Sequence, residues 1–209
     1  RGESVTNPSR RSSLQMLGAA GLMGLQGMRP LTPQGNASPA IRDWLMSPGA
    51  ILLIRHAQTE PGLGDPDAFR IGDCSTQRNL SEAGRAESRA WGVWLSAMGM
   101  RPVAVRSSQW CRCLETARLM FPKQPIQEWV ALNSFFQGHG NRDVQLAQAR
   151  QAAIQRARST SGFEVWVTHQ VVISSLTDQY TSMGEAVVVR GPQALGEPFA
   201  VLGRSNGPR

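Results

Sequence analysis

The chain has 209 residues, enough for one domain with a substantial core plus a tail. With 41% apolar and 18% charged residues, it does not have the composition of a disordered chain. The net charge of +7 rests on arginine, since Lys123 is the only lysine. It reads first as a coding bias and second as attraction for anionic substrates; scattered basic residues and the lack of any recognition motif argue against nucleic acid as a partner.

Residues 1–40 differ from the rest. Arg10-Arg11 is followed by Leu14 and a weakly apolar, Gly/Ala-rich run to Leu25. This resembles a twin-arginine export signal, and the run is too short to span a membrane. Gly35-Asn36-Ala37 and Ser38-Pro39-Ala40 both offer cleavage points. The expectation is a periplasmic or secreted protein, with the twin-arginine (Tat) machinery as a partner and one domain over 41–209. A basic extension carrying a chance Arg-Arg is the alternative.

Prolines at 30, 33, 39 and 48 mark a linker, with a short helix around Ile41–Met46. Ile51-Leu52-Leu53-Ile54 is a short apolar run, as expected of a strand buried on both faces. A long loop with Pro61, Gly62, Gly64, Pro66 and Gly72 follows, too long to be only a connector. Ser81 is a suitable N-cap for a helix to about Met98, with Ala83, Ala86, Ala90, Trp94 and Ala97 at helical spacing and Gly99 as its stop. A strand at 103–106 and a helix at 109–120 come next, then an edge strand at 125–129 and a loop at 133–141. A helix at 142–158 offers Val144, Leu146, Ala153, Ile154 and Ala157 for packing. The strand 163–168 leads into His169 and a short helix, and 186–189 with 199–202 close the chain as an antiparallel pair. Strands alternating with helices predict α/β layering with a mainly parallel sheet.

Three strand ends carry the chemistry. The first ends in Arg55-His56, and the second leads into Ser107-Ser108, Arg112 and Thr116-Ala117. The third ends in Thr168-His169, while Leu80-Ser81-Glu82-Ala83-Gly84 opens a helix. In this order the segments resemble the histidine phosphatase superfamily, specifically its phosphoglycerate-mutase-like phosphatases, over residues 50–203. The resemblance implies a three-layer α/β/α sandwich and a phosphomonoester as substrate.

It also implies roles. His56 would be the nucleophile, its second nitrogen held by a backbone carbonyl. Arg55 and Arg112 would clamp the phosphate oxygens, with His169 as a third positive donor. Gln58, Thr59, Ser107 and Gln170 would contact substrate, with Ser108 beside Ser107. Trp110 would border the site, Trp91, Trp94, Trp129 and Trp166 would be core, and His139 reads as a surface loop residue. The mechanism calls for no metal or cofactor. Cys74, Cys111 and Cys113 show no paired zinc spacing and read as core or loop thiols. A disulfide from Cys74 to one of the pair is the alternative, because the implied fold brings both segments near the phosphate pocket.

One departure affects the activity. Many relatives carry a glutamate as proton donor in the region of Asn133, and Gln170 rather than an acid follows His169. Glu60, Asp65, Asp67, Asp73 and Glu115 are the nearby carboxylates, and none is singled out. A missing acid weakens a phosphomutase reading of the same His56 chemistry. A non-catalytic phosphate-binding domain is the third reading.

Overall fold

Ala50–Arg55 has five buried residues in succession and forms β1 of a computed structural model that describes residues 39–208. Its side chains alternate between two cores. Leu52 and Ile54 enter one, and Ile51 and Leu53 the other, so both faces must be covered by helices. The first core takes Ile41 and Leu45 of α1 (Pro39–Met46), Trp91 and Leu95 of α2 (Glu82–Ala97), and Cys113 and Ala117 of α3 (Cys111–Met120). The second takes Leu146, Ala149 and Ala153 of α4 (Arg142–Ala157) and Val172, Ile173 and Leu176 of α5 (Gln170–Thr177).

The other strands are β2 (Ala104–Ser107), β3 (Ile126–Glu128), β4 (Glu164–Thr168), β5 (Ala186–Arg190) and β6 (Ala200–Ser205). They form a six-stranded sheet in the order β3-β2-β4-β1-β5-β6. The pairs β1–β4, β2–β4 and β2–β3 are parallel, and β5 and β6 are added antiparallel. The fold is thus the expected three-layer α/β/α sandwich. The expected export segment lies almost wholly outside the described residues. Within 39–208 no helix is long and apolar enough to cross a membrane.

The packing face of α2 differs from the expected one. Gly84, Ser88, Trp91 and Leu95 are buried, whereas Ala83, Ala86, Ala90 and Ala97 are exposed. The large side chains Trp91 and Leu95 set the face, since each removes far more apolar area from water than an alanine. Gly84 and Ser88 continue it where only small residues fit. A Cβ on Gly84 would overlap the carbonyl oxygen of Gln58. Ser88 satisfies its buried hydroxyl by donating to the Gly84 carbonyl at 2.8 Å. Ser81 caps the helix as expected, its hydroxyl accepting from Gly84 N–H. On α4, Val144 likewise turns outward.

Candidate active site

The carboxyl ends of β1, β2 and β4 lie side by side, where open α/β sheets place their ligands. His56 follows β1 and His169 follows β4, and both side chains are buried. Their rings meet edge to face with centroids 5.5 Å apart. They line one cavity of about 230 Å³ together with Arg55, Arg78 and Arg112.

Three backbone contacts hold the nucleophile candidate. His56 N–H donates to the Thr168 carbonyl at 3.0 Å, and its own carbonyl accepts from Gly184 N–H at 3.0 Å. The next residue, Ala57, donates N–H to the Thr116 hydroxyl at 3.1 Å. The threonine one turn beyond Arg112 therefore ties α3 to the chain after His56. In the ring, Nδ1 lies 2.9 Å from the Ala57 carbonyl. A carbonyl only accepts, so Nδ1 carries the proton and Nε2 keeps a lone pair. Burial, then the Arg112 charge, push the His56 imidazole well below its usual range, with the Ala57 carbonyl opposing. The ring is neutral at neutral pH, as a nucleophile must be.

His169 is also pushed well below its usual range, by burial first and then by Arg112 and His56. Burial and these charges favour its neutral form, whereas the resemblance implies a third positive donor to a bound phosphate. Its tautomer follows from a chain of hydrogen bonds. Asn133 Oδ1 accepts from Gln109 N–H at 2.8 Å and from the Ser108 hydroxyl at 3.1 Å. That uses the single Ser108 hydrogen, so Ser108 Oγ accepts at its 2.8 Å contact with His169 Nε2. Nε2 therefore bears the His169 proton. Asn133 is the anchor of this chain, and its Nδ2 is engaged by Gln109 Oε1 at 2.9 Å. It does not line the cavity between the histidines and the arginines.

The three arginines give that cavity its charge. Desolvation lowers the Arg55 and Arg78 values, and the nearby Arg112 charge lowers both further. Each of the three guanidinium groups has a buried Nε–H with no protein partner. Three guanidinium groups that repel one another around one opening, with a single described carboxylate beside them, are the features of an anion site. Arg55 is aimed by its 2.9 Å bond to the Thr181 carbonyl. Arg78, which carried no motif in the sequence, is held by the Thr59 hydroxyl at 2.8 Å and the Gly62 carbonyl at 2.7 Å.

Arg112 pairs with Asp65, its NH1 lying 2.7 and 3.0 Å from the two carboxylate oxygens. Both side chains are buried, at 5% and 6% exposure. Trp110 Nε1 and Arg78 N–H also donate to Asp65, each at 3.0 Å. Burial alone would raise the Asp65 carboxyl; Arg112 and these donors outweigh it and hold the group below its usual range. Among the described residues Asp65 is the only carboxylate lining the cavity, and it is ionised. Of the other candidate acids, Asp73 caps a short turn and pairs with Arg70, Glu115 pairs with Arg85, and Glu60 and Asp67 are exposed.

The loop that carries Asp65 is fastened to α3. Cys74 and Cys111 form a disulfide, and Gln77 Oε1 accepts from Cys111 N–H at 2.9 Å. Cys113 is free and fully buried.

Several expected contacts lie elsewhere. Gln58 is exposed and its backbone abuts α2; Ser107 is buried and donates to the Ser108 carbonyl. Thr59 supports Arg78 from outside the cavity. Gln170 does line the cavity, but its Oε1 is taken by the Thr181 N–H and hydroxyl, each at 2.7 Å. These four are small polar residues near strand ends, which sequence alone cannot separate into lining and support. His139 was expected on the surface, yet it lines the cavity, 4.8 Å from the Phe69 ring between centroids.

The sequence model of the Histidine phosphatase superfamily (branch 1) matches residues 51–139. That span holds His56 and Arg112 but ends before His169. No curated protein matches the chain in sequence. Among solved structures, the protein histidine phosphatase SixA complexed with tungstate is 14% identical with a TM-score of 0.53, covering 74% of this chain and 95% of that one. Bacillus stearothermophilus YhfR is 19% identical with a TM-score of 0.50, covering 73% and 94%. A phosphoserine phosphatase mutant from Entamoeba histolytica, in complex with phosphoserine, is 15% identical with a TM-score of 0.51, covering 74% and 95%. At these identities the likeness is one of fold.

Proposed function

We propose that this chain, which shares the fold and the 51–139 sequence pattern of the histidine phosphatase superfamily, hydrolyses a phosphomonoester through a phosphohistidine on His56. The observation that carries this reading is the pairing of a neutral, Nδ1-protonated His56 with three arginines around one opening lined by a single described carboxylate. The His56 Nε2 lone pair forms the P–N bond as the ester P–O bond breaks, and the electron pair leaves on the ester oxygen. Water then attacks phosphorus, forming a new P–O bond as the P–N bond breaks and the imidazole regains its lone pair; one water proton stays on the phosphate and the other passes through solvent to the departed ester oxygen. Charge spreads over the equatorial oxygens in each step, and Arg55, Arg78 and Arg112 are placed to meet it.

The test is chemical trapping. Rapid mixing with an aryl phosphate labelled at phosphorus, followed by a base quench, is expected to leave label on the protein. The label should be acid-labile and absent from His56→Ala. Full turnover by His56→Ala overturns the mechanism.

We further propose that residues 1–40 direct export to the periplasm by the twin-arginine route, on the strength of Arg10-Arg11, Leu14 and the weakly apolar run. Changing both arginines to lysine in a reporter fusion should leave the reporter in the cytoplasm. Unchanged export would point to another route.

A further inference from the structure

A second cavity, of about 500 Å³, adjoins the first: Ser134 and His139 line both. Trp110 belongs to its wall and also packs against His169, with ring centroids 5.3 Å apart. The two openings have opposite chemistry. The first holds three arginines, whereas the second is lined by no Asp, Glu, Lys or Arg, although the chain carries 37 such residues.

Its wall is aromatic. Phe69 stacks on Trp110 at 5.5 Å between centroids, and His139 packs edge-on against Phe69. Ile71, Val130 and Val144 stand at its mouth with about half their surface in water. Its buried amides are already engaged. Asn133 serves Ser108 and Gln109, while Gln145 donates to two carbonyls and accepts from Asn141 N–H. A bound group would meet rings and methyls along the Phe69, Trp110, Val130 and Val144 side and the neutral amides of Asn141 and Gln148 at the rim, with no Asp, Glu, Lys or Arg to pair a second charge.

We propose that this cavity receives the leaving group of the phosphomonoester, and that the leaving group is uncharged and aromatic or bulky apolar. The inference rests on the phosphatase reading, because it takes the phosphate to sit among the arginines. It disfavours substrates with a second phosphate, a carboxylate or an amine on the ester side, since each would be desolvated without a partner. Ring-on-ring contact with Phe69 and Trp110 favours an aryl group.

Phosphonates test recognition without hydrolysis. By calorimetry, 1-naphthylmethylphosphonate should bind at least about tenfold tighter than methylphosphonate. Benzylphosphonate should bind tighter than its 4-carboxy derivative. Val144→Lys puts a cation at the mouth on an exposed helix position, and it should reverse the second order. Equal affinities within each pair in the wild-type protein, or an unchanged order in Val144→Lys, overturn the inference. Turnover is scored separately on 1-naphthyl and phenyl phosphates, whose phenols are similarly acidic. Hydrolysis of both at equal kcat/KM would refute the leaving-group site and leave the phosphatase reading intact. Absence of any phosphoenzyme would refute the phosphatase reading, and discrimination among phosphonates would then stand as binding alone.

Discussion

The His56 and His169 rings meet at 5.5 Å with no carboxylate between them, each proton directed at a neutral oxygen. Burial lowers both imidazoles, and the Arg112 charge lowers them further. Their folded values lie below the unfolded value of about 6.5. Between the two values the unfolded chain binds more protons than the folded one, so stability falls as pH falls. The loss starts near pH 6.5 and is about 1.4 kcal/mol per pH unit for each histidine held neutral. Denaturant titrations from pH 7 to pH 5 should show a shallower slope in His169→Asn than in wild type. The acid limb of kcat/KM should lie well below 6.5.

The arginine cluster makes a second prediction. Removing one donor to transition-state charge costs about 10²–10³ in rate. Arg55→Ala, Arg78→Ala and Arg112→Ala should each fall in that range, and double variants should lose less than the product because one phosphate is shared. Arg112→Ala also strands the buried Asp65 carboxylate. Its melting temperature should drop, and Asp65→Asn on the same background should restore stability without restoring rate. Wild-type kcat in Arg78→Ala would remove that residue from the clamp.

Gly84 sits where α2 meets the segment after the nucleophile. A Cβ there meets Gln58 backbone, which cannot swing away like a side chain. Gly84→Ala should therefore be destabilising despite the better helix propensity of alanine, by about 1–3 kcal/mol or more. Chemical denaturation measures it. A stabilised variant would mean that α2 can retreat freely from Gln58.

The α/β layering and the strands along the chain followed from short apolar runs separated by helical patterns, and the family resemblance drew Arg55, His56, Arg112 and His169 into one candidate site; the order of the strands in the sheet followed from neither. What was not legible depends on which residues meet across long separations. Arg78 and Asp65 lie in a loop without periodicity, and they meet Arg112 through contacts of that loop with α3. The α2 alanines had the right spacing, but spacing cannot rank a face of alanines against one with Trp91 and Leu95. Asn133 stood near the place of an acid, and its part in orienting His169 through Ser108 needed both partners in view.

The Cys74–Cys111 disulfide closes a loop whose ends are 37 residues apart. Chain entropy gives it about 4 kcal/mol of stabilisation at that length. Reduction should lower the melting temperature by several degrees and loosen the segment that bears Asp65 and Arg78. Burial pushes the Cys113 thiol up to about 12, so it does not attack the neighbouring disulfide at neutral pH. Cys113→Ala should leave reduction kinetics unchanged, whereas Cys74→Ser should mimic the reduced protein in protease susceptibility over residues 61–78.

The last prediction concerns the leaving group. Asp65 is the one described carboxylate in the cavity, and Arg112 holds it ionised, so it has no proton to donate at neutral pH. Asn133 cannot donate a proton to an alkoxide, and its amide is engaged elsewhere. General acid catalysis typically contributes about 10²–10⁴-fold, most for poor leaving groups. Without it, kcat/KM should fall steeply as leaving-group pKa rises across a series of aryl phosphates of equal size. Asp65→Asn should lower rates through Arg112 and leave that slope unchanged. A flat slope in the wild type that becomes steep in Asp65→Asn would instead identify Asp65 as the acid.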